Sequence, residues 1–182
     1  MWAIDGTWER VFTALVAKAD ADDDLNWAVS VDSTVVRAHQ HAAGARKKKG
    51  APTGEPPDHT IGRSRGGLST KIHLASDAQC RPLAFVLTAG DAPAFAHVMA
   101  RLRVPRRRGR PRTRPDVVLA DKAYSSRAIR EHLRKRGIRA VIPVPADQRG
   151  HRLRRGSRGG RPPAFDREHT SSATPSNAAS TA

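Results

Sequence analysis

Apolar residues recur at three- and four-residue spacing over residues 7–19, at Trp8, Val11, Phe12, Leu15, Val16 and Ala19. That period predicts an amphipathic helix. Thr7 is a candidate cap, and the acidic cluster Asp20-Ala21-Asp22-Asp23-Asp24 ends it. The cluster lacks the glycine and closing glutamate of a calcium loop and predicts a solvated turn. The period then falls to two. Residues 27–36, WAVSVDSTVV, are rich in β-branched side chains and predict a strand. Val29, Val31 and Ser33 share one face, and Asp32, Thr34 and Val36 the other. Residues 69–76 alternate around Ile72 and Leu74. Residues 81–88 follow after Asp77-Ala78-Gln79-Cys80, which is a hairpin signal. Residues 92–103 predict a second helix with Phe95, Val98, Met99 and Leu102 along one side. Residues 116–121, DVVLAD, predict a short, fully buried strand. Ser125 or Ser126 then caps a helix carrying Ile129 and Leu133, Gly137 stops it, and Arg139 to Pro143 gives a last strand.

Between these elements the apolar pattern lapses. Residues 38–67 hold Lys47, Lys48 and Lys49 with three prolines and six glycines, and predict a long basic loop. Residues 103–115 carry seven arginines and three prolines and predict an exposed basic linker. From about residue 146 the pattern disappears, and residues 170–182 contain no charge and no large apolar group, the composition of a disordered tail. The expected organisation is an N-terminal helical segment over 1–26, a catalytic core over 27–145 and a tail over 146–182. Helix, strand, loop, two strands, helix, strand, helix, strand describes an α/β domain with a mixed sheet. The hairpin supplies antiparallel pairing and the helical crossovers parallel pairing.

Composition narrows the partner. Of 182 residues 38% are hydrophobic and 4% aromatic, so the core is modest. Lys and Arg number 33 against 17 Asp and Glu, a net charge of +16. Such a surplus points to a polyanion such as nucleic acid; the competing explanation is a GC-rich coding sequence that favours arginine. The single cysteine, Cys80, excludes an internal disulfide and a cysteine-rich zinc site. No apolar run approaches the roughly 18 residues of a membrane span. The N-terminus lacks the pattern of a signal peptide, so a cytoplasmic location is expected.

Two acids break the local rules. Asp32 lies inside a β-branched run, where aspartate is disfavoured, and Asp121 ends the buried run. If the two strands pair, their carboxylates converge, and a hard cation such as Mg²⁺ (or Mn²⁺) between them would relieve the repulsion. The competing reading makes Asp32 a strand-edge residue and Asp121 a turn or cap. His39 and His41 could hold zinc or could be polar residues opening the basic loop. Lys71 and His73 share one strand face, near phosphate or solvated. Tyr124 is a conceivable nucleophile, but more naturally packs at a helix start. Lys47, Lys48, Lys49, Arg63, Arg65, Arg106, Arg107 and Arg108 are candidate phosphate contacts that position DNA without reading its sequence.

The segments VDSTVVRAHQHAAGARKKKG, GRSRGGLSTKIHLASD, RPLAFVLTAGD and VVLADKAYSS with IREHLRKRGIRAVIP resemble the insertion-sequence transposases of the IS5 group, within the IS4-like DDE class. The resemblance runs from about residue 5 to about residue 168. It implies a ribonuclease H-like fold, with the first catalytic Asp at Asp32 and the second at Asp121. It further implies Mg²⁺- or Mn²⁺-dependent cleavage and joining of double-stranded DNA at the ends of a mobile element. A nucleoid-associated, homo-oligomeric protein follows from the same resemblance. In that family a third carboxylate, a glutamate, follows the FDREH segment on a helix. Here the chain reads FDREHTSSATPSNAASTA, with no acidic residue after Glu168. The expectation is a fold incomplete at its C-terminus, from truncation or a frameshift, and a chain that is weak or inactive alone. The alternative function is a non-catalytic, basic DNA-binding remnant.

Overall fold

The computed structural model describes residues 5–39, 60–64, 67–89 and 94–163. Within these the chain forms two compact units. Met1–Leu25, Asp32–Ala75 and Pro82–Thr113 contribute to the first, and Asn26–Val31, Ser76–Arg81 and Arg114–Ala182 to the second. Strand β1, Ala28–Arg37, passes from one to the other between Val31 and Asp32.

The second unit is built on parallel strands. The start of β1 pairs with β5, Val117–Ala120, and β5 pairs with β6, Arg139–Val141. Ala28 lies opposite Val117, Val29 opposite Val118, Ser30 opposite Leu119 and Val31 opposite Ala120. The apolar run of β5 behaves as expected of a central parallel strand: Val117, Val118 and Leu119 are all buried in succession. Trp27, Val29, Val31, Leu133, Ile138, Val141 and Ile142 complete this core. A parallel neighbour requires a crossover, and α3, Arg127–Lys135, provides it between β5 and β6. Ser126 caps α3, its hydroxyl accepting from the Ile129 N–H at 3.2 Å. The helix stops at Gly137, whose φ of 65° is open to glycine at little steric cost.

The expectation that order ends near residue 146 is corrected. Ala146–Arg154 form a helix, α4, and Gly156–Gly159 a 3-10 turn. The apolar pattern missed α4 because it buries no residue; Leu153 is exposed. Its support is local. Alanine, glutamine, arginine and leucine are good helix formers. Asp147 lies in the first turn and His151, Arg152 and Arg154 in the last, matching the helix dipole. Residues 164–182 lie outside the described residues.

In the first unit, β2 (Gly62–Ser64) pairs antiparallel with β3 (Gly67–Ser76), and β4 (Pro82–Ala89) also pairs with β3. Strand β3 neighbours β1 in the sheet, so antiparallel and parallel pairings make one mixed set, as the order of elements predicts. Helix α1 is Thr7–Ala21 and α2 is Phe95–Arg101, the latter packing on β4. Phe95, Val98, Met99, Leu102 and Val104 are buried. At the start of α1 the cap position is Gly6, not Thr7, with no side-chain cap; the preceding Asp5 Oδ1 accepts from the Thr7 N–H at 2.9 Å.

Two further expectations change, and the alternation of the β3–β4 hairpin acquires a direction. Its inward face is not the one carrying Ile72 and Leu74. Leu74, Phe85 and Leu87 are exposed, whereas Ser69, His73, Ala75 and Thr88 are buried. Alternation identifies two faces but not which is inward, and here the buried polar pair satisfies itself: His73 Nε2 and Thr88 Oγ1 are 3.0 Å apart. The stripe on α1 is likewise largely exposed at Trp8, Val11 and Leu15, with Val16 buried. Residues 103–115 are not a plain linker, because Val104 is fully buried and bridges to Arg112 in antiparallel fashion.

Truncating Leu133 to alanine should lower unfolding free energy by about 2–5 kcal/mol, the usual cost of a cavity in a packed core. Gly137→Ala should cost about 1 kcal/mol, because its left-handed backbone then carries a Cβ. Urea denaturation followed by far-ultraviolet circular dichroism checks both.

Candidate metal centre and nucleic-acid interface

The parallel register of β1 on β5 ends with Val31 opposite Ala120, and the next residue on each strand is an aspartate, Asp32 and Asp121. In open α/β sheets, ligands bind beyond the carboxyl ends of the strands. Asp121 follows the C-terminal residue of β5 directly. Both acids are exposed. Each commits one oxygen locally. Asp32 Oδ1 accepts from the Ser33 N–H at 2.7 Å. Asp121 Oδ1 accepts from the Ala123 N–H at 3.0 Å and so caps the 3-10 turn Lys122–Tyr124. Among the described residues the second oxygen, Oδ2, of each has no hydrogen-bond or ion-pair partner. A turn cap and a metal ligand are therefore compatible uses of Asp121, since they engage different oxygens.

These are hard oxygen donors of the kind that bind Mg²⁺ or Mn²⁺ through one or two carboxylates, leaving other positions for water and phosphate. Each carboxylate, taken by itself, is a donor of the kind such an ion accepts. Among the described residues no group of three or more His, Cys, Asp or Glu side chains gathers to hold a metal.

The other candidates scatter. Lys47, Lys48, Lys49, Arg65 and His41 lie outside the described residues. Arg63 is exposed on β2, and Lys71 is half-buried on β3. Arg107 and Arg108 are exposed. Arg106 Nε lies 3.7 Å from Asp20 Oδ2 in the last turn of α1, a partly exposed pair worth little to stability. His39 is exposed at the end of β1. Tyr124 is buried, which removes it as a nucleophile. His73 is buried against Thr88 rather than presented to phosphate. Burial holds its imidazole below the usual value, and the positive charge of Lys71 pushes the same way.

The sequence reading missed two polar anchors. Asp77, buried in the β3–β4 turn, accepts from the Gln79 and Arg81 N–H groups at 3.0 and 2.8 Å and pairs with the Arg81 guanidinium at 2.7 Å. It makes the turn rigid, with Cys80 at a φ of 62°. Arg130, on α3, donates to Ser125 Oγ and to the Ile142 carbonyl, each at 2.8 Å, tying the helix to the end of β6. Burial lowers the pKa of its guanidinium. An aspartate two and four residues before backbone donors was a legible signal for the first; the second depends on tertiary placement and had none.

A family model described as the transposase DDE domain matches residues 24–180. The chain belongs to the transposase DDE-domain family. Over 95 residues this DDE domain is 37% identical to a putative transposase for insertion sequence element IS402 of Burkholderia cepacia, covering 50% of the chain and 44% of that protein. Over 65 residues it is 42% identical to the protein y4sN of Sinorhizobium fredii, covering 36% of the chain and 46% of that protein. The chain thus spans under half the length of the curated relatives it matches. The domain is also similar to the Mos1 strand transfer complex, at 17% identity and a TM-score of 0.38, covering 77% of this chain and 41% of that one. For the Mos1 mariner paired-end complex with Mn the values are 16% and 0.36, covering 89% and 51%.

Because His73 has a lowered pKa in the fold, the unfolded chain binds the more protons as pH falls through 6.5, so stability is full above that value and drops below it. Denaturation midpoints measured from pH 8 to pH 5 should therefore fall in the DDE domain, and His73→Gln should flatten that part of the profile.

Proposed function

We propose that this chain is the catalytic domain of a DNA transposase of the IS5 group, in the IS4-like class. It would carry out metal-dependent strand cleavage and transfer at insertion-sequence ends on a ribonuclease H-like scaffold. The observation that carries the reading is the β1–β5 register, which ends one residue before an aspartate on each strand. Family membership and the name of the IS402 relative support it.

Asp32 and Asp121 hold Mg²⁺ or Mn²⁺ in this reading, each through the oxygen left uncommitted by its local hydrogen bond. When bound, such an ion supplies charge neutralisation and activation of a water or hydroxyl nucleophile at a phosphodiester. The Ser33 and Ala123 N–H groups keep the two carboxylates oriented, so no rotamer search accompanies metal entry. Lys47, Lys48, Lys49, Arg63, Arg65, Lys71, Arg106, Arg107 and Arg108 contact phosphates of the duplex and set its position. The setting is the bacterial nucleoid, and the working form a homo-oligomer.

A second reading is favoured by one feature of the sequence. Residues 169–182, HTSSATPSNAASTA, contain no carboxylate side chain, so that stretch cannot supply a third acid. Where no third acid joins Asp32 and Asp121, the site has less charge and a looser geometry, and in that reading these residues serve as a basic DNA-binding remnant.

Two measurements separate the readings. Calorimetric titration with Mn²⁺ should show binding that weakens more than about tenfold in Asp32→Asn and in Asp121→Asn; binding indifferent to both substitutions would remove the metal centre. Incubation with labelled terminal-repeat DNA and Mg²⁺ or Mn²⁺ should give weak or no cleavage by this chain. Robust turnover abolished by Asp32→Ala or Asp121→Ala would show the two-acid site to be sufficient.

A further inference from the structure

The second unit carries a concentration of arginine that neither the metal centre nor the candidate DNA contacts above include. Two cavities open beside α4, of about 580 and 540 Å³. Arg149 and Arg152 of α4 line the larger, and Arg130 and Arg134 of α3 line the smaller. Arg161, with Pro162 and Pro163, borders both, so the two cavities adjoin along this segment as one arginine-lined cleft region. Among the described residues no carboxylate lines either cavity, although Asp147 and Glu131 lie on the same two helices.

The arginines of this cleft are not all equivalent. Arg130 is spent on structure, its guanidinium donating to Ser125 Oγ and the Ile142 carbonyl. Arg152 donates weakly to the Gly160 carbonyl at 3.5 Å, which holds the segment after α4 against the helix. The side chains of Arg134, Arg149 and Arg161 have no hydrogen-bond or ion-pair partner among the described residues. Several like charges held around one concavity repel, and a helix that buries no residue gains little from burial to offset that. The arrangement becomes favourable only when an anion enters. A walled cleft lined by one sign of charge also focuses the field and raises the local concentration of counter-charge.

We propose that this cleft, between α3, α4 and the Gly159–Pro163 segment, is a binding site for the phosphodiester backbone of DNA, with Arg149, Arg152 and Arg161 as its contacts. Guanidinium is the group suited to it, since its planar fork meets two phosphate oxygens at once and it stays charged at every accessible pH. The prolines and the α4 backbone give the cleft a fixed wall, so side-chain ordering is the main entropic cost of binding. The site takes the backbone and not the bases, and it adds affinity without sequence preference. The choice of DNA as the phosphodiester rests on the transposase reading; the anionic character of the ligand does not.

The test is binding, measured apart from catalysis. The full chain carrying Asp32→Asn is titrated against a fluorescein-labelled DNA duplex of arbitrary sequence, in EDTA, by anisotropy across a range of salt concentrations. Replacing Arg149, Arg152 and Arg161 together by glutamine should weaken binding on the order of tenfold or more, and reduce the slope of log affinity against log salt by about 2–3, one counterion for each lost phosphate contact. The same three positions changed to lysine should keep most of the slope. Replacing Arg154, Arg155 and Arg158, which removes the same charge from α4 and the turn after it but lines neither cavity, should change the slope by less. An unchanged slope in the glutamine variant would overturn the proposal. So would equal losses in the glutamine and lysine variants, which would mark a structural role, or equal losses in the two glutamine sets, which would mark net charge alone. If binding depends on the cleft while no chain cleaves DNA, the cleft stands and the catalytic reading falls; if cleavage depends on Asp32 while the slope ignores the three arginines, the reverse holds.

Discussion

The parallel pairing of Ala28–Val31 with Val117–Ala120 is the constraint on which the candidate chemistry depends. A parallel ladder has no turn to set its register, so side-chain packing has to do so. Here Val29 and Val31 on β1 and Val117 to Leu119 on β5 are all buried. A slip by one residue would turn Asp32 toward the face that now holds Val31, placing an ionised carboxylate in an apolar core at a cost of several kcal/mol. The exposure of Asp32 and Asp121 is thus enforced by the burial of the residues before them. The same hydrophobic pattern that fixes the register leaves both acids exposed, Asp32 within β1 and Asp121 just after β5.

Elsewhere the fold gains uniqueness from small, fully satisfied polar groups where apolar area is scarce. His73 and Thr88 lie inward across the β3–β4 hairpin, and Asp77 closes its turn with two backbone N–H groups and Arg81. Arg130 does comparable work between α3 and β6. Each of these groups would be costly if left without a partner. In a chain with 4% aromatic residues such contacts specify orientation that bulk hydrophobicity would leave loose.

The legible parts of the fold were those in which one local rule dominated. DVVLAD announced β5 because an uninterrupted apolar run bounded by acids suits a strand buried on both faces. Ser126 and Gly137 announced the ends of α3 because capping is local chemistry. The inward face of β3 was not legible, since Ile72 and Leu74 are the larger apolar residues, and the opposite face is tolerated inside because His73 finds a partner in Thr88. Helix α4 was hidden because propensity and end charges, not an apolar stripe, support it. The site divides in the same way. Asp32 and Asp121 stood out as acids in apolar strands, and the alternative of a turn cap for Asp121 also proved correct as a local description. The alignment of the two strands was beyond periodicity, because register between segments so far apart is a property of packing.

The surplus of basic residues bears on stability as well as recognition. With 33 Lys and Arg against 17 Asp and Glu, at least about half of the cations cannot find an internal acid. Pairs such as Arg81 with Asp77 and Arg106 with Asp20 absorb a few. The remainder repel one another, and that repulsion is relieved in the expanded, unfolded chain, so it lowers the stability of the compact state. A polyanion that binds only the folded chain reverses the balance, stabilising it by RT ln(1 + [L]/Kd). The arginine-lined walls beside α4 concentrate this effect in one place, where an unliganded helix with no buried residue has little else to hold it. In the proposed complex with DNA, charge that is a liability to the isolated domain becomes a source of cohesion, and the segment that gains most is the one with the smallest apolar contribution of its own.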